Sequence, residues 1–176
     1  MPVSDMHGLS DIAVEIQRIA PRSVLDLGVG YGLFGALCRQ IMDGQDGRCH
    51  PEKWRGVLHG VEAWKDYQNP CWECYNSVRI SEIRAYSLLH YDLVLMIDVL
   101  EHFEAEAGRE LLRQMVKNNK HVIASVPNGV MEQGATFGNP YERHRHTFHH
   151  TDEFKDYNFK LIHQSVCTVV SIQGMR

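Results

Sequence analysis

The chain has no apolar run approaching the roughly 20 residues that a membrane-spanning helix needs. Its start, Met1-Pro2-Val3-Ser4-Asp5, lacks the basic stretch and apolar core of an export signal. These absences predict a soluble, cytoplasmic protein with no membrane partner. A basic balance is missing as well. Against 22 Asp and Glu stand 18 Lys and Arg, a net charge of −4, so unspecific nucleic-acid binding has no electrostatic footprint and is not expected. The five cysteines, an odd number without an export signal, argue for reduced thiols rather than a disulfide framework. Cys71-Trp72-Glu73-Cys74 has the spacing of a zinc-ligand pair, but its nearest complement is Cys49-His50, about twenty residues earlier. The same spacing would also turn both cysteines of a helix toward the core, so no zinc site is predicted. Repeats and low-complexity tracts are absent. At 176 residues and 44% hydrophobic content, the chain suffices for one well-buried core and is short for two domains, so residues 1–176 are expected to form one domain.

Glycine and histidine are abundant, 14 and 11 residues, and their placement is informative. Val24-Leu25-Asp26-Leu27-Gly28-Val29-Gly30-Tyr31-Gly32 reads as an apolar strand that holds one carboxylate and runs into alternating glycines. Glycines at every second position allow a sharp turn and a close backbone approach to a nucleoside-type ligand above the strand end. Asp26 lies where a pyrophosphate would meet a like charge, which favours a cationic ligand. A competing pattern overlaps it. Gly30-Tyr31-Gly32-Leu33-Phe34-Gly35 matches the dinucleotide fingerprint G-x-G-x-x-G. In that reading, however, the first glycine closes the strand, and Gly28 already does so.

Further elements follow by periodicity. Ile12, Ile16, Ile19 and Ala20 share one helical face over residues 10–20, with Ser10 as N-cap and Pro21 as terminator, and residues 1–20 form an N-terminal helical extension. Phe34, Leu37, Cys38 and Ile41 form a second stripe ending near Asp43-Gly44. Val57 to Val61 is a second strand ending at Glu62, a short helix is expected around Cys71 to Tyr75, and Val78 to Ile83 is a short third strand. The near-continuous apolar run from Tyr91 to Val99 is what a central parallel strand buried on both faces requires, and Asp98, Glu101 and His102 cluster at its carboxyl end. Residues 104–118 make a third helix, closed by Asn118-Asn119 in a left-handed conformation, and His121 to Val126 a fifth strand. Residues 129–150 are polar and aperiodic, a length that in a small domain suggests an active-site lid. Phe159 to Val166 and Thr168 to Ile172 read as two tightly joined strands.

The Asp-x-Gly-x-Gly-x-Gly stretch from Asp26 to Gly32 resembles the first motif of the class I S-adenosylmethionine-dependent methyltransferases. Asp98-Val99-Leu100-Glu101-His102 resembles the fourth-strand motif of many small-molecule members, and the resemblance runs over roughly residues 20–172. It implies an α/β fold, a Rossmann-like doubly wound seven-stranded sheet, mostly parallel with a C-terminal antiparallel hairpin. S-adenosylmethionine is the implied cofactor and S-adenosylhomocysteine its product. The implied cofactor residues are Asp26, Leu27, Gly28, Gly30 and Gly32 at the first strand, and Glu62 with Ala63 at the second. Glu82 and Ile83 would face adenine, and Asp98 and Val99 the methionine part. An acidic residue at the second strand end, Glu62, can accept both ribose hydroxyl protons.

Methyl transfer to an oxygen requires a base only where the acceptor carries a proton. His102 is the expected base with Glu101 orienting it, and Asn128, Glu142, His144 and His146 are the expected acceptor-side residues. No metal is predicted, although His102, Glu101, Glu142 and His144 leave a divalent cation as an alternative that would acidify a catechol-like or sugar hydroxyl. The expected activity is methylation, on oxygen, of a small-molecule or saccharide acceptor, and a homodimer is compatible with the chain. An NAD(P)-dependent oxidoreductase and a non-catalytic S-adenosylmethionine-binding partner subunit are the alternatives.

Overall fold

The computed structural model describes residues 6–83, 90–149 and 151–175. Seven strands form one sheet: β1 (Ser23–Leu27), β2 (Val57–Glu62), β3 (Ser77–Ile80), β4 (Leu93–Ile97), β5 (His121–Pro127), β6 (Phe159–Gln164) and β7 (Cys167–Gln173), in the order β3-β2-β1-β4-β5-β7-β6. The strands from β3 to β5 pair in parallel, while β7 is antiparallel to both β5 and β6. This is the expected α/β doubly wound sheet. The chain winds outward from β1 to β3 and then returns to place β4 on the other side of β1. That reversal leaves a crevice above the carboxyl ends of β1 and β4, where such sheets bind ligands.

Helices α1 (Leu9–Ile19) and α2 (Leu33–Met42) cover one face, and α3 (Ala105–Asn118) covers the other. Ile12, Ile16, Phe34 and Cys38 pack with Val24 and Leu95 on the first face, whereas Leu111, Leu112 and Met115 pack with Leu25, Val94 and Met96 on the second. The split follows strand alternation, since neighbours along a strand point to opposite faces. All five residues of β4 are buried, as its unbroken apolar run requires.

Several boundaries differ from the sequence expectation. Gly8, at φ 81°, caps α1, so Ser10 lies inside the helix. The short helix near Cys71 is a 3₁₀ segment, Pro70–Cys74, opened by the Asn69 side chain accepting from the Cys71 N–H. Asn119 ends α3 in extended rather than left-handed geometry, because its amide donates to the Met115 carbonyl and accepts from the Tyr91 N–H at 2.8 Å each. Strand β3 stops at Ile80, so Glu82 and Ile83 lie beyond it. The sheet edges are a four-residue β3 and a β6 whose register shifts between Leu161 and His163, with Lys160 reaching Glu15 at 3.1 Å. The predicted extension and lid extend beyond the described residues at 1–5 and 150 respectively.

One glycine is required by a side chain far away in sequence. A Cβ on Gly35 in α2 would lie 2.0 Å from Cζ of Tyr75, which crosses the helix to reach β1. Helix propensity alone would make Gly35→Ala stabilising by about 1 kcal/mol. Overpacking against a buried ring costs about 1–3 kcal/mol and should win. Thermal denaturation is expected to give a lower Tm for Gly35→Ala; an unchanged or higher Tm would contradict this packing.

Candidate active site

Above the carboxyl ends of the parallel strands opens a cavity of about 860 Å³. Its floor is the turn after β1 with Gly28 and Gly30, and its walls are the ends of β2 with Glu62 and Ala63, and of β4 with Asp98 and Val99. Gly28 adopts φ 79°, and a Cβ there would lie 2.8 Å from Val99 Cγ2, so only glycine lets the loop pass this close to the β4 end. Asp98 itself adopts φ 53°, and its N–H donates to the Ser125 hydroxyl at 3.1 Å, which fixes the turn into the segment carrying Glu101 and His102.

Glu62 is buried, and its carboxylate accepts from the Gly30 N–H and the Trp64 N–H at 2.9 Å each. It thereby ties the glycine turn to the second strand. Burial raises its pKa, and the backbone donors partly oppose this. Glu101 is 2% exposed and lines the cavity, yet its Oε2 accepts no hydrogen bond. Burial holds this carboxyl well above the usual range, with Asp98 adding repulsion. His102 places Nδ1 3.3 Å from the Arg143 carbonyl, and burial lowers its pKa, so the ring is neutral at neutral pH. The carbonyl of Arg143, not Glu101, orients the imidazole, which corrects the expected role of Glu101.

Residues 129–149 run over the mouth of the cavity and supply Met131, Gln133, Asn139, Tyr141, Glu142 and His144 to its lining. Glu142 is the organising group. It accepts from Tyr67 Oη at 3.0 Å, while the Gln133 amide donates to its carbonyl at 2.7 Å. Tyr141 Oη donates to Glu82 at 3.0 Å, joining this loop to the segment after β3, where Glu82 and Ile83 also line the cavity. The N–H groups of Arg145 and His146 donate to the Glu101 carbonyl at 2.7 and 3.3 Å. This clamp brings the His144 ring to 5.1 Å from that of His102. Ligand atoms of Glu101, His102 and His144 all lie within 4.8 Å of one another, which among the described residues is the one such grouping of three or more His, Cys, Asp or Glu. Among the described residues the cysteines form no such grouping and no disulfide.

Five of the expected residues lie away from the cavity. Asp26 points to the α2 face, since Leu25 and Leu27 on either side of it take the opposite one. There Tyr75 Oη donates to it at 2.5 Å, and burial pushes its pKa up to about 7. It therefore does not furnish the negative charge of the crevice. Leu27 is buried in the α3-side core. Gly32 caps α2, packed under Cys71 and Trp72. Asn128 holds the β6–β7 turn through the Ser165 carbonyl at 2.6 Å and the Thr168 hydroxyl. His146 turns outward to Glu153 at 3.2 Å and stacks edge-on to Phe148 at 4.7 Å. Gln133, Asn139 and Tyr141 are polar residues of the expected lid that were not among the expected acceptor-side residues, yet they line the cavity. An Asn-Pro step at Asn139-Pro140, whose side chain accepts from the Tyr141 N–H, was the available signal for a fixed turn there.

No family model and no curated protein sequence matches this chain. Solved structures do. The N-terminal domain of EvdMO1, crystallised in the presence of S-adenosylhomocysteine and D-fucose, superposes with a TM-score of 0.68 at 15% identity, over 98% of this chain and 85% of that one. A protein assigned as an O-methyltransferase from Nostoc punctiforme gives a TM-score of 0.67 at 17% identity, over 96% of this chain but 56% of its own length. An O-methyltransferase family protein from Burkholderia thailandensis gives 0.61 at 16% identity, over 94% and 55%. The fold is that of the class I S-adenosylmethionine-dependent methyltransferases.

The raised Asp26 pKa has a consequence for stability. The unfolded chain releases this proton near pH 4 and the folded chain near pH 7. Between those values the native state binds more protons, so this residue's contribution falls as pH rises, by up to about 4 kcal/mol. Asp26→Asn keeps an acceptor for Tyr75 and removes the titration. Urea denaturation should show the variant gaining stability over the parent protein from pH 5 to pH 8; parallel profiles would rule this out.

Proposed function

We propose that this protein is a methyltransferase that moves the methyl group of S-adenosylmethionine to a hydroxyl oxygen of a small-molecule or saccharide acceptor. The observation that carries this reading is the cavity at the sheet's reversal point, walled by Glu62, Glu82, Asp98 and Glu142. A sulfonium donor is attracted by such walls. The pyrophosphate of a dinucleotide would be repelled, which weighs against the oxidoreductase alternative. The neighbouring folds crystallised with S-adenosylhomocysteine support the same cofactor.

In this reading the adenosine part lies along Glu62, Ala63, Glu82 and Ile83, and the methionine part over Gly28, Gly30, Asp98 and Val99. The acceptor enters beneath the loop 129–149, which acts as a lid on a single-domain enzyme. Its oxygen attacks the methyl carbon in line, the C–S electron pair stays on sulfur, and the hydroxyl proton passes to the neutral imidazole of His102. Most of the acceleration comes from alignment and exclusion of water, worth about 7 kcal/mol or more for well-held reactants. A proton acceptor at His102 separates this reading from the non-catalytic alternative.

Calorimetry is the first test. S-adenosylhomocysteine should bind the protein while NADH does not, and Gly28→Val should abolish binding with the circular dichroism unchanged. Binding of NADH alone would overturn the reading. For the chemistry, transfer of a labelled methyl group to a panel of neutral sugars and catechols should fall by about 10²-fold or more in His102→Ala, with S-adenosylhomocysteine affinity retained. Equal rates would exclude His102.

A further inference from the structure

We infer that Glu101, His102 and His144 bind a divalent transition-metal cation in the wall of the cavity. Three features of the structure converge on this. The first is proximity: the three donor atoms lie within 4.8 Å of one another although His144 comes from a loop 42 residues beyond His102. Donors about 2.1 Å from one cation lie at most about 4.2 Å apart, so small side-chain rotations close the site.

The second is the orientation of both rings. His102 Nδ1 lies 3.3 Å from the Arg143 carbonyl, and His144 Nδ1 lies 2.7 Å from the Met131 carbonyl. A carbonyl can only accept, so each Nδ1 carries a proton, and Nε2 is the ring nitrogen left to face a ligand. Backbone carbonyls behind the imidazoles are the usual support of metal-binding histidines. The third is the orphaned oxygen. Glu101 Oε2 is buried, lines the cavity and has no hydrogen-bond partner, a costly arrangement for a carboxyl group unless something else binds it. The backbone clamp from Arg145 and His146 onto the Glu101 carbonyl holds these groups in register.

Two imidazoles with carboxylate suit Mn²⁺, Fe²⁺, Co²⁺ or Zn²⁺ better than Mg²⁺ or Ca²⁺, which prefer all-oxygen shells. Asp98 and Glu142 line the same cavity as further oxygen donors. The remaining coordination positions face the cavity, and what they do there rests on the methyl-transfer reading. An acceptor hydroxyl on the cation loses its proton more easily, with the proton leaving to the Glu142 carboxylate or to water. The oxygen then forms its bond to the methyl carbon as the C–S pair returns to sulfur. His102 would in this case serve as a ligand, and the base function passes to the cation-bound oxygen's surroundings.

The test is binding of Mn²⁺ to chelator-treated protein, followed by loss of the free-ion electron paramagnetic resonance signal and by calorimetry, without donor or acceptor present. One Mn²⁺ per chain is expected. Glu101→Gln and His144→Ala should each weaken binding by about 10-fold to 100-fold or more, while S-adenosylhomocysteine binds both variants as it binds the parent protein. Absence of binding for Mn²⁺, Co²⁺ and Zn²⁺ alike would overturn the inference, as would unchanged Mn²⁺ affinity in the two variants. Should Glu101→Gln fail to fold, His144→Ala in the surface loop carries the decision alone. Loss of S-adenosylhomocysteine binding by the parent protein with Mn²⁺ still bound would instead remove the methyl-donor reading and leave the metal site standing.

Discussion

Carboxyl groups gathered at one end of a parallel sheet lose hydration and crowd one another, and this cost is the constraint around which the molecule is organised. Glu62 ends β2, Asp98 follows β4 on the other side of β1, and Glu101 lies in the 3₁₀ turn Leu100–His102 just beyond. Glu62 is compensated by two backbone N–H donors and Asp98 is tied to Ser125, but Glu101 keeps an oxygen without a partner. Backbone amides carry only partial charge, so they relieve the crowding without neutralising it. Under the proposed function, a cationic ligand at this sheet edge would offset what the amides leave uncompensated.

A second buried carboxyl, Asp26, serves another purpose. Tyr75 reaches it across Gly35 of α2 and Gly60 of β2, both of which lack the side chain that would block the ring. Arg39 of α2 adds a neighbouring junction, bonding the Cys74 carbonyl at 3.0 Å, Asn76 at 2.9 Å and the Gly56 carbonyl at 3.0 Å. Together these interactions fasten the segment between β2 and β3 onto the first helical layer. They position the wall of the cavity without taking part in its chemistry.

Much of this was legible in the sequence, because the signals were local. The apolar run of β4, the glycine turn after β1 and the helical stripes of α1, α2 and α3 need no distant partner to be recognised. That Asp26 is claimed by a core side chain rather than by a ligand was not legible, since its partner is a tyrosine 49 residues away. His144 and His146 read alike in sequence, yet the clamp on the Glu101 carbonyl turns one inward and leaves the other with Glu153. Nor could spacing reveal that Gln133 and Tyr67 meet on Glu142, because loop conformation follows from tertiary hydrogen bonds rather than from periodicity. The site was thus readable where strands end and unreadable where the loop returns.

The sheet margins bear on how copies of this chain can meet. A long, flat outermost strand exposes a row of unpaired amides and carbonyls that invites pairing with another molecule. Here one margin is only four residues long, and the other is kinked by its register shift and carries Lys160 drawn back to Glu15. Among the described residues, both flanks therefore disfavour a continuous sheet spanning two molecules.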